Sequence, residues 1–343
     1  MYRWGDRKLD QLSGLRWKQE RGDESYLLLR DIIRTEKNVR VEDNSWDLFL
    51  PSSAHLADRY IPQPSIGGKN RFIGVISGNY MLGNRAELWR GLVNRYGTSA
   101  NSLMPESFLY PEQKETLIQR WQGSYVAKSE VQRQQGILLM DEPGQLLIPN
   151  NNQDWSVVQR LLHPPYLYRG KKINLRVYFV IVQQWGKLSL YRYPNGIVSY
   201  AGTDYTGKGL MEEEVASFYS SKRLYDRGYP VTSFELMKHD QSFKNVYLEV
   251  DRVLTKTFYA FEDRLGKQVS NQYHTSFQLF GADFFVNQYM TDVRLLEINV
   301  APGMTPYLDE DERMREGVFK GLMDLLRVGG HRWANDNLFV RLV

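Results

Sequence analysis

The stretch Phe277-Gln-Leu-Phe-Gly-Ala-Asp-Phe-Phe-Val286, followed by Leu295-Leu-Glu-Ile-Asn-Val-Ala-Pro302, sets an Asp, a Glu and an Asn on two neighbouring strand-like segments. Side chains alternate along a strand with a period of two. In the second segment this puts Leu295, Glu297 and Asn299 on one face and Leu296, Ile298 and Val300 on the other. Two oxygen donors therefore point the same way. Asp283 adds a third inside the aromatic run Phe280 to Phe285, whose hydrophobicity predicts burial, and a buried unpaired carboxylate is expensive. A hard cation would offset that cost. Mg²⁺ is held through one or two carboxylates plus substrate phosphates, so Asp283, Glu297 and Asn299 are candidate Mg²⁺ ligands. An alternative for Asp283 is to cap the following element or to pair with Arg294. Glu297 and Asn299 need partners in any case, because they lie on one face of an otherwise apolar strand.

Composition bounds the classes open to this chain. At 343 residues and 42% hydrophobic it is long enough for two or three folded units. The 22 Tyr and 8 Trp exceed what a disordered chain carries and predict large buried clusters. The absence of cysteine excludes disulfides, zinc–thiolate sites and a Cys nucleophile, and it fits a cytoplasmic protein. No basic segment followed by an apolar stretch stands at the start. The longest apolar run, Val177 to Val182, is far below the ~20 residues of a membrane span, so a soluble protein without membrane contact is expected. The net charge of +4 arises from 44 basic and 40 acidic residues that are interspersed. This suits a mild preference for acidic partners and does not indicate nucleic acid binding. The five histidines lack metal-ligand spacing and form no triad with a serine.

Along the chain, Tyr26 to Ile33 is spaced like one apolar helical face, and Arg71-Phe-Ile-Gly-Val-Ile-Ser77 reads as a strand running into a turn at Gly78-Asn79. Helical spacing covers Arg85 to Tyr96 and, near the end, Asp309 to Leu326, with Met314, Val318, Leu322 and Leu325 as its apolar stripe. Between them Met104 to Pro111 and Trp121 to Lys128 read as loop and strand pieces, Gln132 to Gly136 is a polar loop before Ile137 to Met140, and a turn-rich stretch at Pro149 to Asp154 precedes Val157 to Leu162. Two strands follow at Asn174 to Val182 and Leu188 to Tyr193, joined by a turn around Gln184 to Lys187. No internal repeat or low-complexity tract is present.

Taken in order, these pieces resemble tubulin tyrosine ligase and its relatives, which are ATP-grasp enzymes. The resemblance runs from roughly residue 70 to residue 303. Pro105-Glu-Ser-Phe108 is similar to a family segment, Val126-Ala-Lys-Ser129 with Gly136-Ile137 resembles the ATP-binding lysine and the glycine loop behind it, and Val157-Val-Gln-Arg160 resembles the interdomain hinge. Lys171-Lys-Ile-Asn-Leu-Arg-Val-Tyr178 resembles the basic nucleotide-facing strand, and Ser276 to Asn299 the metal-binding strands. The resemblance implies an α+β ATP-grasp fold with a nucleotide cleft between two α+β domains, 83–160 and 161–343, preceded by a smaller amino-terminal α/β domain, 1–82. It implies ATP and Mg²⁺ as cofactors, and ligation of an amino acid to a protein or peptide carboxylate through an acyl phosphate, with tubulin or another acidic tail as the acceptor. Such chemistry calls for metal ions and fixed cations rather than a protein nucleophile.

By the same resemblance Lys128 contacts the α/β-phosphates, the loop ending at Gly136 covers them, and the hinge residues Gln159, Arg160, Leu161 and Leu162 receive adenine. Arg85 is the amino-terminal phosphate-side cation. Lys172, Asn174 and Arg176 share a strand face, with Arg176 on the reacting acyl phosphate and Lys172 beside it, while Thr232 and Ser233 match a polar element at the nucleotide. Several positions depart from the family: Asn174 stands for an Asp, Ser199 for an arginine that binds substrate carboxylate or phosphate, and Ser233 for an Asn. These favour an alternative, a catalytically reduced ATP-grasp scaffold that binds nucleotide or a protein partner without ligation. Apart from the resemblance, Lys128 is an ordinary strand-end lysine and Arg176 a partner for a buried carboxylate.

Overall fold

The computed structural model describes residues 15–19, 39–41, 45–51, 71–129, 137–147, 155–207, 218–266, 274–306, 308–328 and 339–343. Among these residues the chain is mixed α+β, with two sheets and seven α-helices, consistent with an ATP-grasp-like fold. Its elements are β1 (Arg16–Gln19), β2 (Val39–Arg40), β3 (Leu48–Leu50), β4 (Arg71–Ile73), α1 (Tyr80–Gly83), α2 (Arg85–Tyr96), β5 (Ser107–Leu109), α3 (Lys114–Gln119), β6 (Tyr125–Ser129), β7 (Ile137–Met140) and β8 (Trp155–Arg160). They continue with β9 (Leu167–Tyr168), β10 (Lys171–Gln184), β11 (Lys187–Tyr200), α4 (Phe218–Tyr225), α5 (Ser233–His239), α6 (Val246–Phe261), β12 (His274–Val286), β13 (Val293–Asn299), α7 (Asp309–Leu326) and β14 (Val340–Arg341). The expected segments Tyr26 to Ile33, Gln132 to Gly136 and Pro149 to Asp154 lie outside the described residues.

Every residue of β12 is buried except Asp283, as expected for a strand covered on both faces. β12 lies at the centre of a ten-stranded sheet in the order β14-β11-β10-β12-β4-β3-β1-β2, with β13 added on β12 and β9 on β10. Its first residues run parallel to β4 and its later ones antiparallel to β13, so strands from before residue 82 extend the same sheet that carries the acidic residues. Phe179 and Phe280 stack across β10 and β12 with centroids 4.9 Å apart. β10 and β11 form a hairpin whose two-residue turn, Trp185-Gly186, has φ of 49° and 74°, which matches the right-handed twist of the flanking strands.

The second sheet, β5-β8-β6-β7, has its own core of Phe108, Leu117, Tyr125, Ala127, Met140 and Val158. Because Tyr125 and Ala127 face that core, alternation turns Val126 and Lys128 to the opposite side, where Gln159 pairs with Val126. Helices α2 and α7 follow the residue spans that their apolar spacing predicts, and α7 buries Met314, Val318, Phe319, Leu322, Met323 and Leu326.

One expectation is corrected. A β-bulge between Asp283 and Phe284 sets both Leu296 and Glu297 opposite Asp283, while Leu295 pairs with Phe284. The extra residue inverts the alternation, so Leu295 enters the core and does not share the face of Glu297 and Asn299.

Candidate functional site

Strand register assembles the acidic residues. Arg176 of β10 lies opposite Asp283 of β12, which lies opposite Glu297 of β13, and in the adjacent row Tyr178, Gly281 and Asn299 align in the same way. Residues directly opposite in a sheet share a face, so these two rows present one polar surface. Both carboxylate oxygens of Asp283 accept from Arg176, from Nε at 2.7 Å and from Nη2 at 2.6 Å. The bidentate fork is the strong geometry for such a pair. Asp283 thus pairs with Arg176, and Arg294 pairs with Asp292.

Glu297 belongs to a second cation. Its Oε2 accepts from Arg85 Nη2 at 2.5 Å and Nε at 3.2 Å, while Arg85 Nη1 donates to the Ser129 carbonyl at 2.9 Å. Arg85 therefore ties the large sheet to β6 of the small one. Its position follows from Asn84, which caps α2 by accepting from the Glu87 N–H and starts the helix at Arg85. On β6, Lys128 Nζ donates to Gln159 Oε1 at 2.7 Å, and Gln159 Nε2 donates to Ser107 Oγ at 3.1 Å.

The charges of the two sheets act on one another. Burial resists ionisation of Glu297, yet Arg85 and Lys128 overcome it and hold the carboxyl down to about 2. Burial pushes Asp283 above its ordinary value, and the neighbouring Glu297 adds to the rise while Arg176 opposes it. Lys128 is lowered to about 8, chiefly by burial, with Arg85 and Lys172 adding and Glu297 and Asp283 opposing. Four cations, Arg85, Lys128, Lys172 and Arg176, thus surround two carboxylates, Asp283 and Glu297, an excess of two positive charges when all are ionised. Among the described residues no cluster of three or more acidic or histidine side chains is gathered for a metal.

The other expected residues divide. Lys172 and Asn174 lie on the Arg176 face by alternation, and Asn174 sits directly opposite Ser199, whose hydroxyl donates to the Asn174 carbonyl at 3.4 Å. At the hinge, Arg160 is exposed and its N–H donates to the Glu106 carbonyl, and the Leu161 N–H donates to Ser124, both at 2.8 Å. Leu162 follows, half-buried. Thr232 bridges to Ile197, one strand beyond Arg176 in the same row, and its hydroxyl caps α5 in a reciprocal box with Glu235. Ser233 is fully buried, and its hydroxyl is engaged with Tyr247, Asn195 and the Gly196 N–H. Gly136 lies outside the described residues.

Residues the sequence reading did not single out complete the surroundings. Tyr178 lies in the Asn299 row with its hydroxyl buried. Gln278, fully buried, joins β12 to the turn before α1. Arg315 of α7 is paired with Asp311 and donates to the Gly303 carbonyl just past β13. Only long-range packing brings them here, and no spacing in the sequence marks them.

The class defined by this fold and site is an α+β protein with a cation-rich surface built across two sheets around a pair of carboxylates. Residues 73–332 match the tubulin-tyrosine ligase family, and the chain belongs to that family. It is 23% identical over 353 residues to a tubulin monoglutamylase of Homo sapiens, an alignment covering 94% of this chain and 28% of that protein. It is 24% identical over 240 residues to tubulin glycylase 3B of Drosophila melanogaster, covering 64% of this chain and 31% of the other. A probable tubulin polyglutamylase of Homo sapiens is 22% identical over 263 residues, covering 69% and 43%. The chain thus spans less than half the length of these relatives.

Proposed function

We propose that this protein is an ATP- and Mg²⁺-dependent carboxylate–amine ligase that joins an amino acid to a protein or peptide carboxylate, with tubulin or another acidic tail as the acceptor and the cytoplasm as its location. The observation that carries the reading is the gathering of four cations about two carboxylates on one half-buried surface. Such a surplus is costly in the free protein and is neutralised by a polyphosphate. Membership of the tubulin-tyrosine ligase family and the names of its relatives supply the reaction class.

The residues present fit a hard cation. Asp283, Glu297 and Asn299 offer only oxygen donors, two of them anionic, and the Asn299 side-chain amide nitrogen is buried with no partner among the described residues. A phosphate oxygen would satisfy that nitrogen while the amide oxygen faces the metal. Bound Mg²⁺ would draw charge from the transferring phosphoryl group. Arg85 and Arg176 would then turn part of their guanidinium surface to phosphate oxygens, a change that bidentate forks suit. Lys128 would hold a phosphate from the small sheet, with Gln159 fixing its ammonium. Leu162 would supply the hinge N–H to adenine, since those of Arg160 and Leu161 are already engaged.

Asn174 opposite Ser199, and Ser233 bound into a buried network, favour a second reading, a scaffold that binds nucleotide without ligation. ADP release measured with candidate amino acids and acidic peptides separates the two. A ligase sustains multiple-turnover ADP release only when the carboxylate acceptor and the amino acid are both present, and Glu297→Gln reduces that release by about 10²-fold or more. Binding of MgATP with no acceptor-dependent ADP, and an unchanged basal rate in Glu297→Gln, would sink the ligase reading.

A further inference from the structure

Two arms of the site meet at a junction outside it. The Gln278 side chain accepts from the Ile76 N–H at 3.0 Å and from Asn79 Nδ2 at 2.9 Å, and its Nε2 donates to the Val300 carbonyl at 2.8 Å. Val300 follows Asn299 directly. The other side of Val300 is pressed by Gly83, where an added Cβ would lie 2.7 Å from Val300 Cγ1 and 3.3 Å from Cγ2. Gly83 ends α1, Asn84 folds back onto the Tyr80 carbonyl and caps α2, and Arg85 reaches Glu297. The chain of contacts is therefore closed: Arg85 to Glu297, along β13 to Val300, across to Gly83, and back through Asn84 to Arg85.

We infer that the Gly83–Val300 contact, locked by the Gln278 amide, is a positioning device that sets the reach of Arg85 to Glu297 and the placement of Asn299. Glycine suits this approach, because a Cβ at 83 would overlap the stiff, branched Val300 side chain and force it, β13 or the start of α2 to shift. The inference rests on the reading of these residues as the nucleotide and metal site, and outer supports of such sites are worth about 10–100-fold in affinity.

The test is titration of the full chain with the magnesium complex of a non-hydrolysable ATP analogue, alongside thermal unfolding. Gly83→Ala is expected to weaken binding at least about tenfold, and Gly83→Ala with Val300→Ala to return it to within about threefold of Val300→Ala alone, because the shortened side chain restores the room. Gln278→Glu, which sets a carboxylate against the Val300 carbonyl, is expected to weaken binding similarly and decides the matter if Gly83→Ala does not fold. A Gly83→Ala protein that melts earlier yet binds like the wild type, or a double variant that is not rescued, overturns the inference. Failure of the wild type to bind the analogue overturns the nucleotide reading instead.

Discussion

Lys128 is charged at neutral pH in an environment that resists it. Its ammonium is lowered to about 8 by burial and by Arg85 and Lys172. An arriving polyphosphate favours the charged form, so the bound protein holds the proton to higher pH than the free one. Below about 8 both states are protonated and affinity is flat; above it the free protein has lost the proton, binding must recover it, and affinity falls. Calorimetry in buffers of different ionisation enthalpy should detect proton uptake on nucleotide binding at pH 8.5–9 and little at pH 7, and Lys128→Met should abolish the difference. Equal uptake in that variant would reassign the titrating group. Part of this site was legible in the sequence, since the common face of Glu297 and Asn299 follows from strand alternation alone. The partner of Glu297 was not, because Arg85 lies 212 residues away and only the fold brings it there.

At the scale of elements, α7 depends on one buried ion pair. Arg315 and Asp311 are one turn apart, with side chains 5% and 1% exposed, and Arg315 also holds the Gly303 carbonyl. Arg315→Met takes the guanidinium away from a buried carboxylate and is expected to cost up to about 3–5 kcal/mol, read from the denaturant midpoint. Replacing both, with Asp311→Leu, should recover much of that loss. An equal cost for single and double variants would mean that the packing of α7, not charge, sets the penalty. The span of α7 was readable from its apolar period, because an amphipathic helix carries its pattern locally. The bulge at Leu296 was not, since one inserted residue leaves both halves of β13 with acceptable alternation and only the partner strand fixes where the phase changes.

Across the whole molecule, the strands that precede residue 82 were the least legible. β1, β3 and β4 are four, three and three residues long, and their parallel pairing to one another and to β12 depends on contacts distant in sequence that no local pattern announces. The same long-range closure makes the site a joint between sheets: Arg85 spans Glu297 and Ser129, and Lys128 acts on Glu297 from the small sheet. A ligand that neutralises all four cations stabilises both sheets together, because it binds the assembled site and not the unfolded chain. At a hundredfold excess over Kd, MgATP is expected to add about 2.7 kcal/mol to the free energy of unfolding. In a thermal scan this appears as a rise in Tm that grows with ligand concentration, is smaller with ATP and chelator, and nearly vanishes in Lys128→Met combined with Arg85→Met. The double variant guards against a trivial result, because removing two of the four cations leaves the surface neutral against Asp283 and Glu297, without the surplus that draws a polyphosphate. A ligand-induced rise that persists undiminished in that variant would mean that the nucleotide binds elsewhere on the molecule.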